Sequence, residues 1–216
     1  VVEGAQYLDP KLIEATPGIA VEAVKNECAY MGFLVIHLLD SVQEVFFNDK
    51  KDLIPKIEET EAKIDQLHKA VKAYAEDIMQ AGISDDAARV LTLYVASSGN
   101  IERIGDQASD IAEIVTCLSG ACGHNAHIDQ MAQATIKMVT DSLDAFVRRD
   151  LTLAWSVIEY DDVVDRLFDE CKQDLIAEIA QNPTDGERVL DVLMIAKYLE
   201  RIGDHATNIA EWVEFS

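Results

Sequence analysis

The residues able to do chemistry are four acidic pairs at four-residue spacing: Glu61 with Asp65, Glu102 with Asp106, Asp161 with Asp165, and Glu200 with Asp204. On a helix, positions four apart lie about 40° apart around the axis and about 6 Å along it, so both carboxylates can address one ion or bridge two. Asp110 and Glu113 extend the run that begins at Glu102. Like charges at this spacing cost roughly 0.2–0.5 kcal/mol per pair in a bare helix, so they require solvent or a cation. Carboxylate oxygen is a hard donor, which favours Mg²⁺, Mn²⁺, Ca²⁺ or iron. The competing reading is that 40 Asp and Glu in 216 residues produce many such pairs on solvated faces. Recurrence weighs against it, because the same acids return in the same phase along the border of an apolar stripe. The candidate ligands are therefore Glu61, Asp65, Glu102, Asp106, Asp110, Asp161, Asp165, Glu200 and Asp204.

The elements that must position these acids are helices. Only 4 Pro and 10 Gly occur, mostly near the N-terminus or between segments of helical period, which predicts an all-α chain. Residues 1–18 contain Gly4, Pro10, Pro17 and Gly18, carry no sustained period and read as a linker. Apolar residues then recur at three- and four-residue steps from about Ile19 to Phe47, with Asn48-Asp49 as a stop. A second helix is expected from about Lys51 to Gln80, with Ile57, Ile64, Leu67, Val71 and Tyr74 as its stripe, Pro55 in its first turn and Gly82 at its end. A third begins after Ser84 as N-cap and reaches about Leu118, where Gly120 and Gly123 end it. Beyond a connecting loop at 119–125 the plan repeats, with helices from about Ala126 to Arg149, Leu151 to Gln181 and Thr184 to the end. Thr184-Asp185-Gly186-Glu187 fits a capping box. Six long helices joined by short turns predict two tandem pseudo-symmetric three-helix bundles, at 19–118 and 126–216.

The halves match residue by residue. Leu53, Ile57, Ile64, Asp65 and Leu67 recur as Leu153, Val157, Val164, Asp165 and Leu167, at an offset of 100. The segment from Glu102 to Glu113 recurs from Glu200 to Glu211 at an offset of 98, with nine of 12 positions identical. A two-residue shortening between the second and third helices of the repeat accounts for the change, and the chain is an internal duplication.

A formal net charge of -22 repels phosphate backbones and opposes nucleic-acid binding. Mean hydropathy is +0.02, and the longest apolar run, Gly32 to Leu39, is broken by His37. It falls short of the roughly 20 residues that span a bilayer, so no membrane span is expected in the chain. The opening Val1-Val2-Glu3-Gly4 has no signal-peptide pattern, and the chain reads as a piece of a longer protein. Cys28, Cys117, Cys122 and Cys171 show no C-x-x-C spacing, which predicts reduced thiols in a cytoplasmic compartment, with Cys28 and Cys171 in the core. Cys117 and Cys122 with His124 and His127 offer a second metal grouping, disfavoured because the other half has no counterpart. Arg103 and Arg201 are expected to pair with Asp106 and Asp204. His68 and His205 align with Phe168 and Gln107, so neither is an expected ligand. Met31 and Met131 read as core, and the helical glycines Gly105 and Gly203 as points of tight helix packing.

The segment from Leu199 to Glu211 and its copy, together with Glu61-x-x-x-Asp65 and Asp161-x-x-x-Asp165, closely resemble the PhoU family. The resemblance covers about Ile19 to Phe215. It implies two three-helix bundles, regulation of phosphate uptake, and multinuclear clusters of divalent or ferric metal ions (iron, manganese or magnesium) held by the Glu/Asp-x-x-x-Asp motifs. The implied partners are a phosphate transporter or its membrane domain, a signalling protein and further copies of the chain. No enzymatic reaction is implied. The stretch from Tyr7 to Glu14, followed by Pro17, is similar to the junction ahead of the C-terminal PhoU-like domain of bacterial sodium/phosphate cotransporters. That implies a cytoplasmic domain tethered to the inner membrane through an N-terminal portion. Asn208 stands where the first half has Asp110, which predicts a weaker second metal site. Two rival readings remain at this stage. A di-iron carboxylate enzyme of the ferritin type needs Glu-x-x-His motifs, which the sequence lacks. A plain helical adaptor or dimerisation domain would carry its acids for solubility alone.

Overall fold

The computed structural model describes residues 4–118 and 126–215. Gly120, Cys122, Gly123 and His124, with the rest of the expected loop at 119–125, lie outside the described residues. All regular structure among the described residues is helical. The α-helices are α1 (Pro10–Ala15), α2 (Pro17–Asn48), α3 (Ile54–Ala81), α4 (Asp85–Cys117), α5 (Ala126–Arg148), α6 (Leu151–Gln181) and α7 (Gly186–Phe215). Short 3-10 turns at Lys51–Leu53 and Pro183–Asp185 precede α3 and α7.

Local chemistry sets most of these boundaries. Asp49 adopts a left-handed conformation (φ 54°) that closes α2, and Gly82 (φ 89°) ends α3. Ser84 Oγ accepts from the Ala87 N–H at 3.2 Å and opens α4, while Asp85 and Asp86 face the positive end of its dipole. The capping box expected at Thr184 does not form. Thr184 Oγ1 turns to Asn182 Oδ1 at 2.8 Å, and Asp185 is engaged by Arg188 Nε at 2.7 Å, so the 3-10 turn leads directly into α7.

Of residues 1–18, read as a linker, the described part, 4–18, contains α1 and packs on the first half. Asp9 caps this helix by accepting from the Lys11 N–H at 2.9 Å, and Leu8 is buried. Tyr74 Oη donates to the Asp9 carbonyl at 2.8 Å, and the Gln6 N–H donates to the buried Glu27 carboxylate at 2.8 Å. A helix of six residues is under two turns long, too short to announce itself by apolar period.

In the first half α2 packs against α3 and α4, and in the second α5 packs against α6 and α7. The halves meet chiefly along α4 and α7, with a smaller crossing of α2 over α5. That crossing depends on Gly32, since a Cβ there would lie 3.0 Å from Leu143 Cδ2. Helix α2 is long and apolar enough to cross a membrane by length and composition, with a window of mean hydropathy 1.3. In the fold its apolar side is core: Val24, Cys28, Met31 and Val35 are fully buried, and Met131 occupies the matching place in α5.

Candidate metal centre

The outer helix of each half runs antiparallel to its seam helix, which brings the acids of one level with those of the other. In the first half Glu61 faces Asp106 and Asp65 faces Glu102. The Glu61 carboxyl, when protonated, donates to Asp106, and that of Glu102 donates to Asp106 or Asp65. Sharing protons in this way pushes Glu61 up to about 7, mainly through the Asp106 hydrogen bond and then through burial and neighbouring charge. Glu102 is also pushed up to about 7, with burial the first cause and Asp106 and Asp65 the next. Asp110 lies one turn further along α4, raised by burial, Glu113 and Asp106, and eased by Arg201 of α7.

In the second half one carboxylate oxygen from each of Asp161, Asp165 and Asp204 lies within 4.8 Å of the others. Burial raises Asp161 to about 6, helped by Asp165 and Asp204. Its Oδ1 is buried without a hydrogen-bond partner, an arrangement that normally costs stability unless a further group satisfies the oxygen. Asp165 and Asp204 are raised for the same reasons, burial first, and Lys197 opposes both shifts. Glu200 is drawn aside, accepting from Lys197 Nζ at 2.5 Å. Convergent oxygens, one of them orphaned, and carboxyls raised by burial and by one another's charge form a donor set suited to a hard cation.

The remaining candidates resolve differently. Asn208 does not face the second acidic set: its amide donates to Asn100 Oδ1 of α4 at 3.3 Å, across the seam between the halves, where His205 Nδ1 also lies 3.3 Å from that oxygen. The ion pairs expected for Arg103 with Asp106 and Arg201 with Asp204 are not among those of the described residues. Arg201 lies over the Tyr198 ring at 5.8 Å, and Arg103 reaches back beside Gly99 and His68. His68 is half-buried, with Nδ1 2.9 Å from Ser98 Oγ. Gly105 and Gly203 leave room for a methyl at ordinary contact distance, so the tight packing expected of them does not require glycine. A Cβ at Gly105 would touch Ile64 at 3.7 Å, and one at Gly203 would touch Val164 at 3.6 Å and Asp161 Oδ1 at 3.8 Å. Cys28 and Cys171 are buried and Cys117 is exposed. His127 sits between Glu170 (3.2 Å) and Asp174 (2.5 Å) of α6. The residue that sequence reasoning missed is Lys197. Aligning the repeats at the offset of 98 sets it opposite Gly99, three residues ahead of a candidate ligand, and that contrast was available.

Comparison with known proteins identifies relatives of the chain and of its fold. The family model described as the PhoU domain matches twice, over residues 29–115 and 128–213. The phosphate-specific transport system accessory protein PhoU homolog of Pseudomonas aeruginosa is 33% identical over 202 residues, covering 89% of this chain and 81% of its own length. PhoU homolog 1 of Thermotoga maritima is 30% identical, covering 88% and 84% respectively. The crystal structure of PhoU from Pseudomonas aeruginosa superposes with a TM-score of 0.84 at 29% identity, over 90% of this chain and 95% of that one. The phosphate transport system regulatory protein PhoU from Streptococcus pneumoniae shares the fold, with a TM-score of 0.83 at 20% identity over 93% and 96%.

Proposed function

The chain belongs to the PhoU family, and from that premise we propose that it regulates phosphate transport as a metal-binding domain acting on, or attached to, a sodium/phosphate cotransporter. Relatives over most of their length are accessory proteins of phosphate-specific transport systems, so the reading assigns regulation and no catalytic step. Attachment to a cotransporter draws its support from the segment Tyr7 to Glu14. Glu27 and Tyr74 fix that segment to the first half, so any upstream portion would join a rigid anchor. The observation that carries metal binding is the buried, unpartnered Asp161 Oδ1 beside Asp165 and Asp204.

In this reading iron, manganese or magnesium is held by Glu61, Asp65, Glu102, Asp106 and Asp110 in the first half. Asp161, Asp165, Glu200 and Asp204 hold it in the second. Bound metal supplies positive charge to an otherwise strongly acidic surface. The chain's own residues do the rest: without metal, Glu61 and Glu102 keep protons that relieve the crowding around Asp106. When those protons leave, the same oxygens would be able to hold a cation between the outer helix and the seam helix.

Thermal unfolding with and without metal tests this. An ion that binds only the folded state adds about 2.7 kcal/mol at a hundredfold excess over Kd. Mn²⁺ or Fe²⁺ should therefore raise the melting temperature of chelator-treated protein by several degrees. Asp106→Asn combined with Asp204→Asn should remove most of the rise. An unchanged metal response in that double variant means the wrong residues were chosen, and no response in either protein leaves the plain adaptor.

A further inference from the structure

We propose that Lys197 is a built-in counter-ion that takes the cation's place in the second carboxylate set, leaving the first set as the one that binds metal tightly. The inference rests on the metal reading above and assigns a difference between its two sites. Lys197 Nζ lies 2.5 Å from Glu200 Oε1, and the ammonium stands 5.3 Å from the centroid of the Phe168 ring, which holds the side chain in place. Its charge acts on Asp165 and Asp204 as well as on Glu200. An ion entering this set must displace the ammonium from Glu200 or make do with the three aspartates.

The first half is built differently at each matching position. Gly99 stands where the second half has Lys197, and the pair His68 and Ser98 stands where it has Phe168 and Ala196. The space beside Gly99 is filled by the His68 ring, 3.5 Å from where a Cβ would be, and by Arg103 Nη1 at 3.8 Å, a guanidinium that makes no ion pair with the first set among the described residues. Burial, followed by Lys72 and Arg103, keeps His68 below the usual histidine range, so it is neutral where Lys197 is charged. Lys69 meets Asp65 at 3.2 Å, but its side chain is 74% exposed and the pair is screened by water. A metal ion entering the first set displaces only the exposed Lys69 from Asp65. The same ranking was expected from Asp110 and Asn208; the amide of Asn208 is committed to Asn100 across the seam, so the second set has no counterpart to Asp110, and the ammonium at 197 adds a second charge difference of the same sign.

Mn²⁺ titration of the chelator-stripped full chain, followed by loss of the free-ion paramagnetic resonance signal, tests the inference. Two classes should appear. Lys197→Met, which keeps the stem over Phe168 and removes the charge, should tighten the weaker class at least tenfold and leave the tighter one unchanged. Lys197→Gln should give the same gain through a second neutral side chain, and Lys197→Arg, which keeps the charge, should give none. The transplant Gly99→Lys with His68→Phe should weaken the tighter class at least tenfold. Circular dichroism confirms that each variant is folded. Two classes that persist unchanged in both neutral variants overturn the counter-ion role while the metal reading stands. Absence of Mn²⁺ binding by the unaltered chain overturns the metal reading itself.

Discussion

Free of metal, this protein should lose stability as the solution turns from acid to neutral. Glu61 and Glu102 move from 4.5 in the unfolded chain to about 7 in the fold, and Asp161 from 3.8 to about 6. Protons therefore bind more tightly to the native state. Stability from these groups is full below about 4.5 and falls as pH rises toward 7. At about 1.4 kcal/mol for each tenfold change in proton affinity, a fully shielded carboxyl would contribute about 3 kcal/mol. All three are only half-buried, so screening reduces this to about 1 kcal/mol apiece. Glu61 and Glu102 share Asp106 and are not independent, which leaves about 2 kcal/mol for the molecule, or about 4–8 °C in melting temperature for a chain of this size. Ordinary exposed carboxylates have finished titrating by about pH 5.5 and add little slope above it. His68 and His205 are held below the usual histidine range, mainly by burial, and act in the opposite sense, losing stability as pH falls through about 6.5. The decisive quantity is therefore the difference between the unaltered chain and Glu61→Gln/Glu102→Gln, scanned by calorimetry from pH 5 to 8 with chelator at constant ionic strength. The double variant should show a flatter decline and be the more stable protein at pH 8. Parallel profiles, or a variant less stable at pH 8, would refute the shared-proton account of the first acidic set.

Two further outcomes test the scaffold that carries the acids. Gly105→Ala should stabilise by about 0.5–1 kcal/mol in urea unfolding, because the new methyl meets Ile64 at ordinary contact distance within a helix. A loss of stability would show that the approach of α3 to α4 requires glycine. Tyr74→Phe should cost about 0.5–1.5 kcal/mol and speed proteolysis ahead of α2, since it removes the donor to the Asp9 carbonyl. Unchanged cleavage would mean that α1 is held without that bond.

How much of this was legible in the sequence follows from what kind of information each feature needs. The six long helices and the duplication depend on repeats within one segment or between two, and both are visible in a string of letters. So was the placement of the candidate ligands on helix faces, because four-residue spacing has a fixed geometry. What the string does not carry is which residue of one helix comes level with which residue of another. The antiparallel pairing that brings Glu102 to Asp65 belongs to this class, as do the turn of Glu200 toward Lys197 and the reach of Asn208 to Asn100. The internal repeat nevertheless offers a route to part of it. Positions where the two copies agree, such as Ile104 with Ile202, Gly105 with Gly203 and Ala108 with Ala206, are buried on α4 and α7 and report packing common to both halves. Positions where they disagree, Gly99 with Lys197, His68 with Phe168, Gln107 with His205 and Asp110 with Asn208, border the acidic sets or the seam. The shared core is constrained equally in both copies, whereas the surroundings of the carboxylates are free to diverge. The differences between the halves therefore locate where one carboxylate set departs from the other, and two of these four pairs alter its charge: the ammonium at 197 and the carboxylate at 110.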